Sequence, residues 1–183
     1  MNWLHTILIL AAAFVAVFLE AACNLPRVLL GAQIDLLPVL MVYAALTNGF
    51  AAIVLLALCG GLWFDSLSLN PLGASVLPLL VIGLIIYASR ELLMRDNTYA
   101  QVILGMAAAA AQPLGTLFLL LNFGAFPFLG WVSLWQWIVM TVAGGIITPL
   151  CFRLFDRLHH AFDYPVTKQL TFRPDREIKR GRA

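Results

Sequence analysis

The sequence predicts an all-α integral membrane protein with about six transmembrane helices. Three observations carry this. Of 183 residues, 62% are hydrophobic and only 11% are charged, against roughly 45–50% apolar and about 25% charged in a soluble domain. Mean hydropathy is +0.94. The polar residues cluster in short breaks between apolar runs, several near the roughly 20 residues that a span requires. A chain this apolar lacks the polar surface to cover itself in water. An ordinary soluble enzyme, a disordered protein and a secreted disulfide scaffold are therefore excluded.

The first apolar run covers about residues 3–22 and ends near Glu20. A break with Asn24, Pro26, Arg27, Gly31, Gln33 and Asp35 follows. The next run, residues 36–64, would be about 43 Å long as one helix, beyond a hydrocarbon core of roughly 30 Å. Asn48-Gly49 in its middle is a turn signal, so two short helices, 36–47 and 50–64, are expected. Each is too short to span unaided unless its neighbours shield its ends. A loop at residues 65–71 leads to a fourth run over about 72–94. The fifth covers about 98–121, and the sixth, after a loop with Gly124 and Pro127, covers about 131–154.

Charge sets the expected orientation. Residues 1–152 hold three basic and five acidic residues, whereas residues 153–183 hold eight basic and four acidic. Cytoplasmic connections collect Lys and Arg. Arg90 and Arg95 lie two spans from the basic tail, hence on the same, inner side. Six spans place both termini inside and Arg27 outside; five would place Arg27 inside. The turn signal and the length of residues 36–64 favour six. The expected organisation is a six-helix transmembrane domain, 1–158, and a basic cytoplasmic tail, 159–183. The tail's charge suits anionic inner-leaflet lipids, a cytoplasmic protein, or orientation alone.

Few residues carry chemistry. Asp65 lies at the edge of a span, where a carboxylate is costly unless hydrated or hydrogen-bonded. It is read as a helix cap or a partner contact. Glu20, Arg27 and Asp35 gather near the same outer end; interfacial solvation is the expected role, with a docking surface or polar pocket as the alternative. Arg90-Glu91 and Arg95-Asp96 are read as orienting charges. Ala12 and Ala16, Gly105 and Ala109, and Gly144-Gly145 are small residues that let helix backbones approach closely, within the bundle or against partner helices. Trp131, Trp135 and Trp137 are expected as interfacial anchors. Cys23, Cys59 and Cys151 form no metal or redox motif. The segment before Cys23 superficially resembles a lipoprotein cleavage site, but Glu20 is unsuited and no basic residue precedes the apolar run. No phosphate-cradling loop, no paired buried carboxylates and no nucleophile–base arrangement is expected. The expected protein is not an enzyme, uses no cofactor or metal, and binds no nucleic acid.

One block supports a family resemblance. Asp35-Leu36-Leu37-Pro38 opens the second run, and Gly60-Gly61-Leu62-Trp63-Phe64-Asp65-Ser66 is followed by Pro71-Leu72-Gly73. With the chain length and basic tail, this resembles the rod shape-determining membrane protein MreD family. The resemblance implies a non-catalytic scaffold of the bacterial cell-elongation complex in the inner membrane. It implies an MreC-like bitopic partner, RodA with its penicillin-binding transpeptidase, and MreB filaments. It also implies a fold similar to the substrate-binding subunits of energy-coupling-factor transporters. Asp65 with Gly61, Pro71 and Gly73 would then shape the outer end of the third span. The alternative is a substrate-binding membrane subunit of a vitamin-type transporter, whose coupling contact the Ala12/Ala16 pair resembles. Such a binder needs converging polar groups, and spans four to six offer Tyr87, Gln112, Thr116, Asn122 and Gln136.

Overall fold

The computed structural model describes residues 3–22, 28, 31–68, 71–90, 97–124 and 130–162. Six helices run through them: α1 (Trp3–Ala22), α2 (Leu37–Thr47), α3 (Phe50–Leu67), α4 (Val76–Ser89), α5 (Thr98–Asn122) and α6 (Trp131–Phe162). Among the described residues there is no strand. Three helices are long and apolar enough to cross a membrane: Phe50–Leu67, Thr98–Asn122 and Trp131–Leu158. The other three apolar segments are shorter. Arg27, Glu91, Arg95, Asp96, Cys23 and the tail from residue 163 lie outside the described residues.

The break in the second apolar run falls at Asn48 and Gly49, both extended. The Asn48 amide closes the last turn of α2 on Ala44 O, and Gly49 O accepts from Ala52 at the start of α3. At 1.5 Å per residue α2 is about 16 Å long. Its position in the bundle explains how so short a helix persists. Every residue from Leu37 to Ala45 is buried, and α1, α3, α4, α5 and α6 all pack on it. A helix that is apolar all round belongs in the interior; α2 is the axis of this bundle.

Packing around α2 uses small residues on its neighbours. Gly60 faces Leu37, and Gly83 faces Met41 and Ile53. Tyr43 stacks on Phe155 with centroids 4.4 Å apart and meets the edge of Phe152 at 5.0 Å. Between α5 and α6 the backbones nearly touch: a side chain at Gly105 would meet Thr148 and Gly144 O, and one at Gly144 would meet Ala109 and Gly105 O. Lipid is as apolar as leucine, so such close van der Waals contact, rather than hydrophobic burial, holds helices together in a bilayer. Hydroxyls inside the bundle are satisfied by carbonyls four residues back, as in Thr148 to Gly144 O at 2.6 Å and Thr141 to Trp137 O at 2.8 Å. Large apolar side chains point outward on α1 (Phe14, Phe18), α4 (Val81, Ile85) and α6 (Ile138, Ile146, Leu154).

Three boundaries differ from expectation. α3 continues to Leu67, α4 begins at Val76 rather than near 72, and α6 continues to Phe162. The late start of α4 has a local cause: residues 72–75 form a turn, with Ala74 N donating to Pro71 O. The seam between α5 and α6 generates a prediction. Gly105→Val forces a branched side chain into backbone and costs about 3 kcal/mol by overpacking, whereas Gly49→Ala, with nothing within 4 Å of the added methyl, stays within about 0.5 kcal/mol. Thermal unfolding of the two variants in mild detergent checks the contrast.

Candidate functional site

The helix connections divide the bundle into two ends. One holds the C-termini of α1 and α3 and the N-termini of α2 and α4. It collects Glu20, Asp35 and Asp65. The other holds the Asn48-Gly49 break, the start of α5 and the end of α6, with Arg90, Arg153 and Arg157.

The carboxylate end is built on two helix N-termini. The first N–H groups of any helix lack partners within it, and a buried amide without a partner is costly. At α2 two acids answer this need. Glu20 Oε1, on the last turn of α1, accepts from Leu36 N at 2.6 Å. Asp35 Oδ1 accepts from Leu37 N at 2.9 Å. At α4 a single acid does the same from below. Asp65 Oδ2 accepts from Gly73 N at 2.8 Å and from Ser75 N at 3.1 Å. Gln112 of α5 completes the cluster by donating from Nε2 to Ser75 O at 3.3 Å.

The motif residues come together here, each for a different reason. Gly73 has φ +94°, a left-handed conformation that favours glycine and turns its N–H toward Asp65. Nothing crowds it. Gly61 is needed for space instead: a Cβ there would lie 2.9 Å from Val76 Cα. Pro71 is exposed and supplies the carbonyl that closes the turn.

Burial corrects two expectations, that Asp35 is solvated at an interface and that no buried carboxylates are paired. Asp65 is 1% exposed and Asp35 6% exposed. They are internal hydrogen-bond acceptors, not carboxylates in water. Burial pushes the Asp35 carboxyl up to about 6; the Leu37 N–H works against this and the Asp65 charge adds to it. Among the described residues, three buried acceptors at this end have no hydrogen-bond partner: Glu20 Oε2, Asp65 Oδ1 and Gln112 Oε1. Among the described residues no group of three or more His, Cys, Asp or Glu is arranged to hold a metal ion.

Other candidates are placed elsewhere. Ala16 is buried and Ala12 half-buried against the core, so α1 uses this pair within the bundle. Trp131 and Trp135 are exposed. Trp137 is not an interfacial anchor: its Nε1 donates to Ala110 O on α5 at 3.0 Å, close to the turn that Pro113 interrupts. Arg90 lies 4.3 Å over the Tyr87 ring. Ser75 was not legible as a site residue, because its backbone rather than its side chain is what the site uses. Gln112 carried one signal, an amide deep in an apolar span.

No family model, no curated protein and no solved structure matches this chain.

Two predictions follow from the carboxylates. Asp65→Ala leaves two amides without their acceptor and costs about 1–3 kcal/mol; Asp65→Asn, which keeps one acceptor oxygen, costs less. Thermal unfolding and protease cleavage around residues 68–75 check this order. For Asp35 the raised value means that the neutral form suits the folded state. Its contribution is greatest at low pH, declines as pH rises from 3.8 through about 6, and is flat above. Glu20 and Asp65 face the same region and Leu37 N–H opposes the shift. The wild type therefore melts higher at pH 5 than at pH 7.5, and Asp35→Asn narrows that difference.

Proposed function

We propose that the chain is a non-catalytic scaffold of the MreD type, in the inner membrane of a bacterium, that binds an MreC-like bitopic protein within the cell-elongation machinery. The observation that carries this reading is the Gly61–Asp65–Gly73 clasp. Asp65 and Gly73 are hydrogen-bonded to each other and Gly61 makes room for Val76, so the residues on which the resemblance rests shape one end of α3 and α4. They are not scattered over the bundle. Two of the polar groups that a ligand pocket would need are turned to helix carbonyls instead: Thr116 donates to Gln112 O and Asn122 to Phe118 O.

Six spans, both termini inside, suit this reading. Trp3 and Thr6 line one groove with Thr47 to Leu55, and Tyr43 meets the α6 aromatics, so the start of α1 and the end of α6 share the end that holds Arg90, Arg153 and Arg157. Basic residues mark the cytoplasmic side. The carboxylate clasp would then face outward, where RodA, its transpeptidase and the bitopic partner carry out wall synthesis, while MreB filaments lie inside. The short α2 and α4 cross with their ends covered by longer neighbours. One observation keeps the transporter-subunit reading in view: the unpartnered Glu20 Oε2, Asp65 Oδ1 and Gln112 Oε1 lie at the end where such a subunit would take its substrate.

Purification of the tagged protein from its native membrane in gentle detergent, with mass spectrometry of what accompanies it, tests the proposal. The expected companions are a bitopic coiled-coil protein and wall-synthesis enzymes, and Asp65→Ala at matched protein level lowers their recovery. ATPase subunits with a bound small molecule would overturn the scaffold reading in favour of transport.

A further inference from the structure

The arginine end carries a second feature, on the outside of the bundle and far from the carboxylates. A groove of about 350 Å³ runs between α5 and α6. Val102, Met106, Gly145 and Ile146 line it, and Thr98 and Arg153 stand at its mouth. The groove exists because Gly145 presents no side chain to α5; a methyl there would run into Met106. Its wall faces outward on a helix read as a span, with Ile146 and Val142 exposed.

The mouth is positive for two separate reasons. Arg153 is exposed in the C-terminal third of α6. Thr98 is the first residue of α5, where the helix dipole presents its positive end; the Asn97 side chain accepts from Tyr99 N and its carbonyl from Gln101 N. An apolar slot that ends on a guanidinium and a helix N-terminus fits a molecule with a hydrocarbon chain joined to an anion. We propose that this groove seats an acyl chain of an anionic phospholipid, whose phosphate meets Arg153 and the first turn of α5. A partner helix would have to bury Arg153 against an apolar face or bring a carboxylate to it. A phospholipid brings the anion at the right depth by its own construction. The eight basic residues of positions 153–183 favour the same leaflet, since each attracts anionic headgroups. The proposal requires only that the chain lie in a bilayer, so it stands or falls apart from the scaffold reading.

Native mass spectrometry of the delipidated full chain, offered equal amounts of dioleoyl phosphatidylglycerol and dioleoyl phosphatidylethanolamine, tests it. The wild type should retain phosphatidylglycerol in preference, and Arg153→Glu should lower that retention by about fivefold or more, the weight of one basic residue at an anionic surface. Arg153→Lys should keep most of the preference. Ile146→Trp, which fills the slot without changing charge, should lower retention of both lipids. Soluble glycerol phosphate should not displace the lipid, because the chain supplies the seat. Equal retention of the two lipids by the wild type, retention unmoved by Arg153→Glu or by Ile146→Trp, or displacement by glycerol phosphate would each sink the proposal. So would crosslinking from position 146 in native membranes that captures a protein helix in place of lipid.

Discussion

A peptide N–H that is out of reach of water must find an acceptor inside the protein, and this bundle is arranged around that requirement at the N-termini of α2 and α4. Helix interiors meet it by themselves; helix starts do not. Glu20 and Asp35 supply acceptors for α2, and Asp65 supplies them for the turn before α4. Because α2 is the central helix, its anchoring fixes where every other helix can sit. Glu20 reaches it from α1, which ties the first helix to the axis. Asp65 reaches α4 from α3, which ties that pair to each other. Gln112 extends the chain of bonds from Ser75 into α5. Carboxylates are expensive to bury; here each answers at least one helix-start amide, and Asp65 answers two.

The opposite end is organised by shape and positive charge. Glycines at 105 and 144 let α5 and α6 close on each other, and Gly145 opens a notch beside the same seam. Tyr43, Phe152 and Phe155 then lock the end of α6 against the axis. Acids on one end and arginines on the other give the molecule a polarity along its length. In a membrane that polarity serves orientation, and in the reading proposed here it divides the work: a rigid outer clasp for partners, and an inner, basic side in contact with anionic lipid.

Much of this was legible in the chain. Apolar run lengths located the helices, and Asn48-Gly49 marked the break that separates α2 from α3, because a turn signal within a run too long for one span has few other uses. Asp65 was conspicuous as a carboxylate at the end of an apolar run, and the cost of leaving it bare pointed to a helix cap or a partner contact. The small residues of α5 and α6 announced close packing. What these signals share is locality: each rests on residues adjacent in sequence or one helical turn apart.

Tertiary structure decided the rest. Glu20 looked like an interfacial acid until α2 was placed beside it; its acceptor role spans 16 residues of sequence and depends on how two helices meet. Trp137 looked like an anchor, yet its N–H bonds a carbonyl on α5, 27 residues away. Ser75 gives no side-chain signal at all, since only its backbone is used. The apolar pattern is blind to such choices because every face of these helices is hydrophobic, so composition cannot say which face meets protein and which meets lipid. The sequence alone determined a bundle of apolar helices with its charges gathered at their ends. Which helix became the axis, and which amides the buried acids hold, was decided only by three-dimensional packing, where steric fit and unsatisfied hydrogen bonds select among arrangements that are equally apolar.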